Sequence, residues 1–133
     1  MRFLSLALLV TSLPSFACPD LAGLYRRCVS TQGEVSKLRV VQNDDTFRIS
    51  WSTERLIIAK ADGVTRTTPI FDTGMAWITV ASCEGDTLKR HIAYQTADGQ
   101  IDPGVDQSYR VKQGLLHYEA RDQDGVFKEV NCR

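Results

Sequence analysis

Four basic residues sit where a strand would carry apolar ones. Arg90 falls between Leu88 and Ile92, Lys128 between Val126 and Val130, and Arg27 between Tyr25 and Val29, while Arg66 follows Val64. In an extended chain alternate side chains share a face, so each base shares its face with those apolar neighbours. A buried unpaired charge is strongly unfavourable. Each base must therefore meet a carboxylate such as Glu119 or Glu129, snorkel to water at an element's end, or await an anion. Arginine suits a carboxylate, because its planar fork engages both oxygens. Phe47, Ile49, Trp51, Trp77 and Tyr94 supply an apolar lining for such a site. The candidate ligand-binding residues are Arg90, Trp77, Trp51, Tyr94, Arg27 and Lys128. The expected occupant is a small hydrophobic molecule or an anionic amphiphile. A small barrel can instead be filled by its own side chains.

Other chemistry finds less support in the residues. His91 and His117 are the only histidines, and both share faces with polar neighbours (Lys89, Glu119), as solvated histidines do. Without a nearby Cys or carboxylate cluster they make no metal site. There is no Gly-x-Ser-x-Gly elbow and no glycine-rich phosphate loop. Asp44, Asp45, Asp62, Asp86, Asp98 and Asp124 fall at turns, where short acidic side chains bond the local backbone. No cofactor and no enzymatic activity are expected. With 16 Lys plus Arg against 16 Asp plus Glu, the chain lacks the basic footprint of nucleic-acid binding.

The N-terminus reads as a targeting signal. Met1-Arg2, the apolar run from Phe3 to Val10, and Ser15-Phe16-Ala17 have the layout of a secretory signal peptide over residues 1–17. The run is too short to span a bilayer, and no transmembrane segment is expected in residues 18–133. An exported protein, periplasmic or secreted, is the expectation. Cleavage after Ala17 would place Cys18 first, as in a lipid-anchored protein, but Ser15 and Phe16 are not the residues that lipidation signals favour. All four cysteines, Cys18, Cys28, Cys83 and Cys132, lie in the exported part. An even count in a small exported chain implies two disulfides, with three pairings open. Cys18–Cys28 with Cys83–Cys132 is the preferred pairing, since it closes one short and one long loop.

Short alternating segments must position these residues. The clearest is the hairpin from Met75 to Gln95, in which Leu88, Ile92 and Tyr94 share one face and Thr87, Lys89, His91 and Gln95 the other. Phe47, Ile49 and Trp51 alternate with Arg48 and Ser50. Turn residues recur near 33, 44, 53, 62, 72, 85, 98, 113 and 124. Such spacing marks an all-β sandwich or barrel. Consecutive strands joined by tight turns favour a meander, and closing it hides its edges. The expected fold is one domain over 18–133, an up-and-down antiparallel barrel of about 8–10 short strands tied by disulfides, with an open β-sandwich as the alternative.

Gly23-Leu24-Tyr25, just after the exported N-terminus, resembles the Gly-x-Trp opening of the lipocalins and their calycin relatives, with Tyr in place of Trp. The resemblance implies a binding barrel with a pocket at its open mouth. It also implies an aromatic plug at one end under a basic residue from the last strand, a part for Lys128 or Arg121. The family's Thr-Asp-Tyr signature and C-terminal helix have no counterpart. The implied function is an exported lipocalin-like binding protein. The alternative is an interaction protein, inhibitor-like, that presents its loops 69–74 (Pro69 to Gly74) and 97–105 (Ala97 to Val105) to a protein partner.

Overall fold

The computed structural model describes residues 18–28, 37–52 and 56–133. The signal-peptide expectation over 1–17 and the turns expected at Gly33-Glu34 and Thr53-Glu54 lie outside them. Ten antiparallel strands form one sheet: β1 (Gly23–Arg27), β2 (Lys37–Asn43), β3 (Thr46–Trp51), β4 (Leu56–Lys60), β5 (Arg66–Pro69), β6 (Ala76–Glu84), β7 (Thr87–Gln95), β8 (Val105–Lys112), β9 (Leu115–Asp122) and β10 (Gly125–Cys132). Their order is β4-β3-β2-β1-β10-β9-β8-β7-β6-β5. Every sequential pair except β4 and β5 is hydrogen-bonded, and the first strand pairs the last. This is the up-and-down barrel the turn spacing predicts.

The sheet's two edges, β4 and β5, are joined by a connection that crosses β6. Asp62 bridges Ser82, and the Gly63 N–H donates to Ala81 O at 2.8 Å. Arg66 pairs with Asp62 at 2.6 Å at this edge, so it is an exposed ion-pair partner and not an interior base. The other hairpins close on local turn chemistry. Gln113 and Gly114 both have positive φ, 54° and 75°, the geometry that matches strand twist in a two-residue turn.

Two disulfides staple the barrel, and both differ from the preferred pairing. Cys18 joins Cys83 with a Cα–Cα distance of 5.2 Å, and Cys28 joins Cys132 at 5.4 Å. The reason is topological. The β1–β10 seam sets Arg26 opposite Cys132, and the Cys28 N–H donates to Val130 O. Cys28 therefore lies on the outer face diagonal to Cys132. Short loops were the wrong guide, because a barrel brings its first and last strands together.

The closed end of the barrel holds the apolar core. Leu21, Tyr25, Leu38, Phe47, Ile49, Leu88 and Leu116 are fully buried there. Phe47 and Ile49 thus belong to the core and not to a pocket lining. Tyr25 plugs this end as the resemblance implies: its hydroxyl donates to Leu21 O at 2.9 Å. The base over it is neither Lys128 nor Arg121 but the terminal Arg133. Its guanidinium lies 5.6 Å from the Tyr25 ring centroid and donates to Ala22 O at 3.2 Å.

Candidate functional site

Above the apolar floor the inner face turns polar. Register fixes which side chains share it. Leu88, Tyr109, Tyr118 and Glu129 form one cross-strand row over β7 to β10. Ala81, Arg90, Gln107, Ala120 and Phe127 form the next row toward the mouth. Arg27 enters opposite Asn131 across the seam. The core contact of Tyr118 and its edge-to-face packing on Trp51, at 5.5 Å between centroids, show that these rows face inward.

Arg90 is the cation of this band. Its Nη1 donates to Gln107 Oε1 at 2.8 Å. Among the described residues it has no carboxylate partner within ion-pair reach. Burial draws the guanidinium below its ordinary pKa, with the phenols Tyr109 and Tyr118 opposing that shift. Arginine nevertheless stays charged at neutral pH. The Gln107 amide is oriented by this bond, since arginine can only donate. Its Nε2 therefore donates to the Tyr118 hydroxyl oxygen at 3.1 Å, which leaves the Tyr118 O–H as a donor. Burial raises the pKa of both Tyr118 and Tyr109, so both phenols are neutral donors at physiological pH.

The remaining sequence candidates separate. Arg27 is an inner-face residue, but Glu129 neutralises it at 2.7 Å, with the Glu129 side chain only 6% exposed. That hydrogen bond and charge raise the Arg27 pKa. Trp51 stands beside Tyr118 in the band. Trp77 and Tyr94 stack edge to face at 5.3 Å nearer the mouth. Lys128 is not in the site. It is exposed, and it sits with Glu119 and His117 around an outer-face depression. Its parity misled because β10 turns polar Glu129 and Asn131 inward and leaves Val126 47% exposed. His91 and His117 also lie on the outer face, and His91 Nδ1 meets Asp106 Oδ1 at 2.7 Å.

Sequence reasoning did not single out Gln107, Tyr109, Tyr118 or Asn131, and it offered Glu129 only as a counter-ion. A signal existed: Tyr118 alternates with His117 and Glu119, the residues assigned to the polar face. Four buried polar atoms of this group have no hydrogen-bond partner among the described residues: Tyr109 Oη, Glu129 Oε1 and both amide atoms of Asn131. Among the described residues, no group of three or more His, Cys, Asp or Glu could hold a metal, and no helix is long and apolar enough to cross a membrane.

Among the described residues, the 70–75 and 96–104 connections and the β9–β10 turn (123–124) border the mouth. In 70–75, a short 3-10 turn (Phe71–Thr73) holds Phe71 at φ 39° and ends on left-handed Gly74. The 96–104 loop folds back on β7: Ile101 bridges Gln95, and the Asp102 N–H donates to Tyr94 O at 3.0 Å. Gly104 must be glycine, because a Cβ there would lie 2.8 Å from His91 Nε2 and closer still to Ile92 O.

A ten-stranded meander paired between first and last strands, with an aromatic plug under an arginine and a polar inner band, has the architecture of an up-and-down barrel. No protein-family model matches the chain, and no curated protein matches it. Among solved structures, a REP1-NXSQ fatty acid transporter superposes with a TM-score of 0.61 at 17% identity, over 86% of this chain and 96% of that one. A point mutant of the fluorescent protein UnaG superposes at 0.55 with 14% identity, over 85% of this chain and 95% of that one. At these identities the likeness is one of fold.

Proposed function

We propose that this protein is an exported binding protein, not a catalyst, and that it takes a small amphiphile with an acidic head at the inner-face band around Arg90. The observation that carries the reading is Arg90, an inner-face guanidinium whose described partner is one neutral amide. Beside it stand the aromatic wall of Trp51 and Tyr118 and the free proton of the Tyr118 hydroxyl. An ionised head would meet two donors there, and an apolar tail would meet rings. The fatty acid transporter among the fold neighbours supports the same class of ligand. Two disulfides support an oxidising compartment. A Cys18 sulfur bonded to Cys83 cannot also carry a thioether-linked lipid, which favours a free exported form over an anchored one.

The test is displacement of a fluorescent fatty acid, followed also through Trp51 emission. Charge-assisted hydrogen bonds contribute about 1.5–3 kcal/mol, so Arg90→Gln should weaken an acid about tenfold to hundredfold. The matching alcohol should bind alike to both proteins. Equal binding of acid and alcohol by the natural chain would end the reading.

One observation favours the second reading, a loop carrier with a protein partner. Phe71 is 96% exposed on the left-handed backbone of the 70–75 turn, a conformation that strains a bulky residue. Capture of a partner from the export compartment that survives Arg90→Gln but not Phe71→Ala would favour it.

A further inference from the structure

The rim carries a second site of opposite character, and we propose that it binds a quaternary organic ammonium group. This goes beyond the Arg90 site and does not depend on it. A pocket of about 220 Å³ lies between the ends of β6 and β7, the 102–105 segment and the β9–β10 turn. Trp77, Tyr94, Asp102, Asp122 and Asp124 line it, and among the described residues no Lys, Arg or His does. The Trp77 ring is held edge to face by Tyr94 at 5.3 Å, yet Trp77 is 43% exposed. An indole face left open is the strongest side-chain partner for a cation.

Two of the three carboxylates are fixed in place by the rim backbone. Asp102 Oδ1 accepts the Tyr94 N–H at 2.9 Å. Asp122 Oδ1 accepts the N–H of Asp124 at 2.8 Å and of Gly125 at 3.0 Å. Among the described residues none of the three aspartates is neutralised by a base. The pocket is smaller than the roughly 300 Å³ at which whole small-molecule sites begin, so it suits a head group. A hard metal ion would want about six or more oxygens around it, and one wall here is aromatic. A soft, bulky cation is satisfied by ring faces and carboxylates together.

The test is an NMR titration of the unmodified protein with choline and with its neutral isostere, 3,3-dimethylbutan-1-ol. Choline should shift the Trp77 indole N–H and the amides of 102–104 and 122–125, and the isostere should not. Trp77→Leu should weaken choline about tenfold. Asp122→Asn combined with Asp124→Asn should weaken it further, while the Asn oxygen keeps the turn bonds. Dodecyltrimethylammonium, below its micelle concentration, identifies the source: binding at least tenfold tighter than choline marks an amphiphile head, and equal binding marks a small free quaternary ammonium ion. Arg90→Gln should leave choline binding unchanged, so failure here and failure of the acidic-amphiphile reading are separable. Equal shifts from the isostere, or unchanged choline binding in a natively folded Trp77→Leu protein, would overturn the proposal.

Discussion

Removing the Cys28–Cys132 bridge should cost about 4 kcal/mol, and the crossing of the two bridges sets that figure. Taken alone, the bridge spans a sequence separation of 104. With Cys18–Cys83 intact, the shortest covalent path from Cys28 to Cys132 runs back to Cys18, across to Cys83 and on. That effective loop is about 60 residues, and chain entropy assigns it about 4 kcal/mol. The path around Cys18–Cys83, with the seam bridge intact, uses the same two stretches. The two double variants, Cys28→Ser with Cys132→Ser and Cys18→Ser with Cys83→Ser, should therefore lose similar amounts. Small domains have about 5–15 kcal/mol in total, so either variant should be folded only marginally. Non-reducing urea denaturation with a constant m-value measures the loss. A short Cys18–Cys28 loop would instead make one pair clearly cheaper to remove, near 3 kcal/mol for about ten residues. A Cys18→Ser, Cys28→Ser protein with one intact Cys83–Cys132 bridge on peptide mapping would refute the crossed arrangement.

Asn131→Leu should be neutral or stabilising by about 1–3 kcal/mol, because both amide atoms are buried without a partner among the described residues and unsatisfied burial is the larger penalty; thermal melts decide it. Tyr25→Phe should lose about 1–2 kcal/mol by orphaning Leu21 O at the closed end, measured as a shift in urea midpoint. Burial raises Tyr109 and Tyr118 above the ordinary phenol range, so tyrosinate absorbance should show both lagging the unfolded chain. Their contribution to stability is whole below the unfolded phenol value of about 10 and falls as pH rises through the folded values. Normal titration of all four tyrosines in the folded protein would contradict the inner band.

Much of the fold was legible because it rests on local rules. Period-two alternation identified β3 and β7, and Asp-Gly and Gln-Gly pairs punctuated the meander. Tyr25 as a plug followed from the resemblance of Gly23-Leu24-Tyr25 to a Gly-x-Trp opening. Arg90 was legible because Leu88, Ile92 and Tyr94 set its face. Lys128 was misplaced because the same rule assumes that the inner face is apolar. On β10 it is polar, since Glu129 must answer Arg27 across the seam. That pairing joins residues 102 apart in sequence, beyond the reach of any local pattern.

The amino-acid order alone determined the strands, their turns, the closed meander and the presence of a guanidinium on an inward register. These follow from backbone sterics and side-chain alternation, which act over a few residues. Only the folded barrel decided which cysteines meet, that Arg133 and not Lys128 or Arg121 covers Tyr25, and that Arg27 is neutralised while Arg90 is left to a neutral amide. It alone gathered Trp77 and three aspartates at one rim. Those outcomes depend on shear and seam closure, which set neighbours across the sheet and leave no trace in sequence spacing.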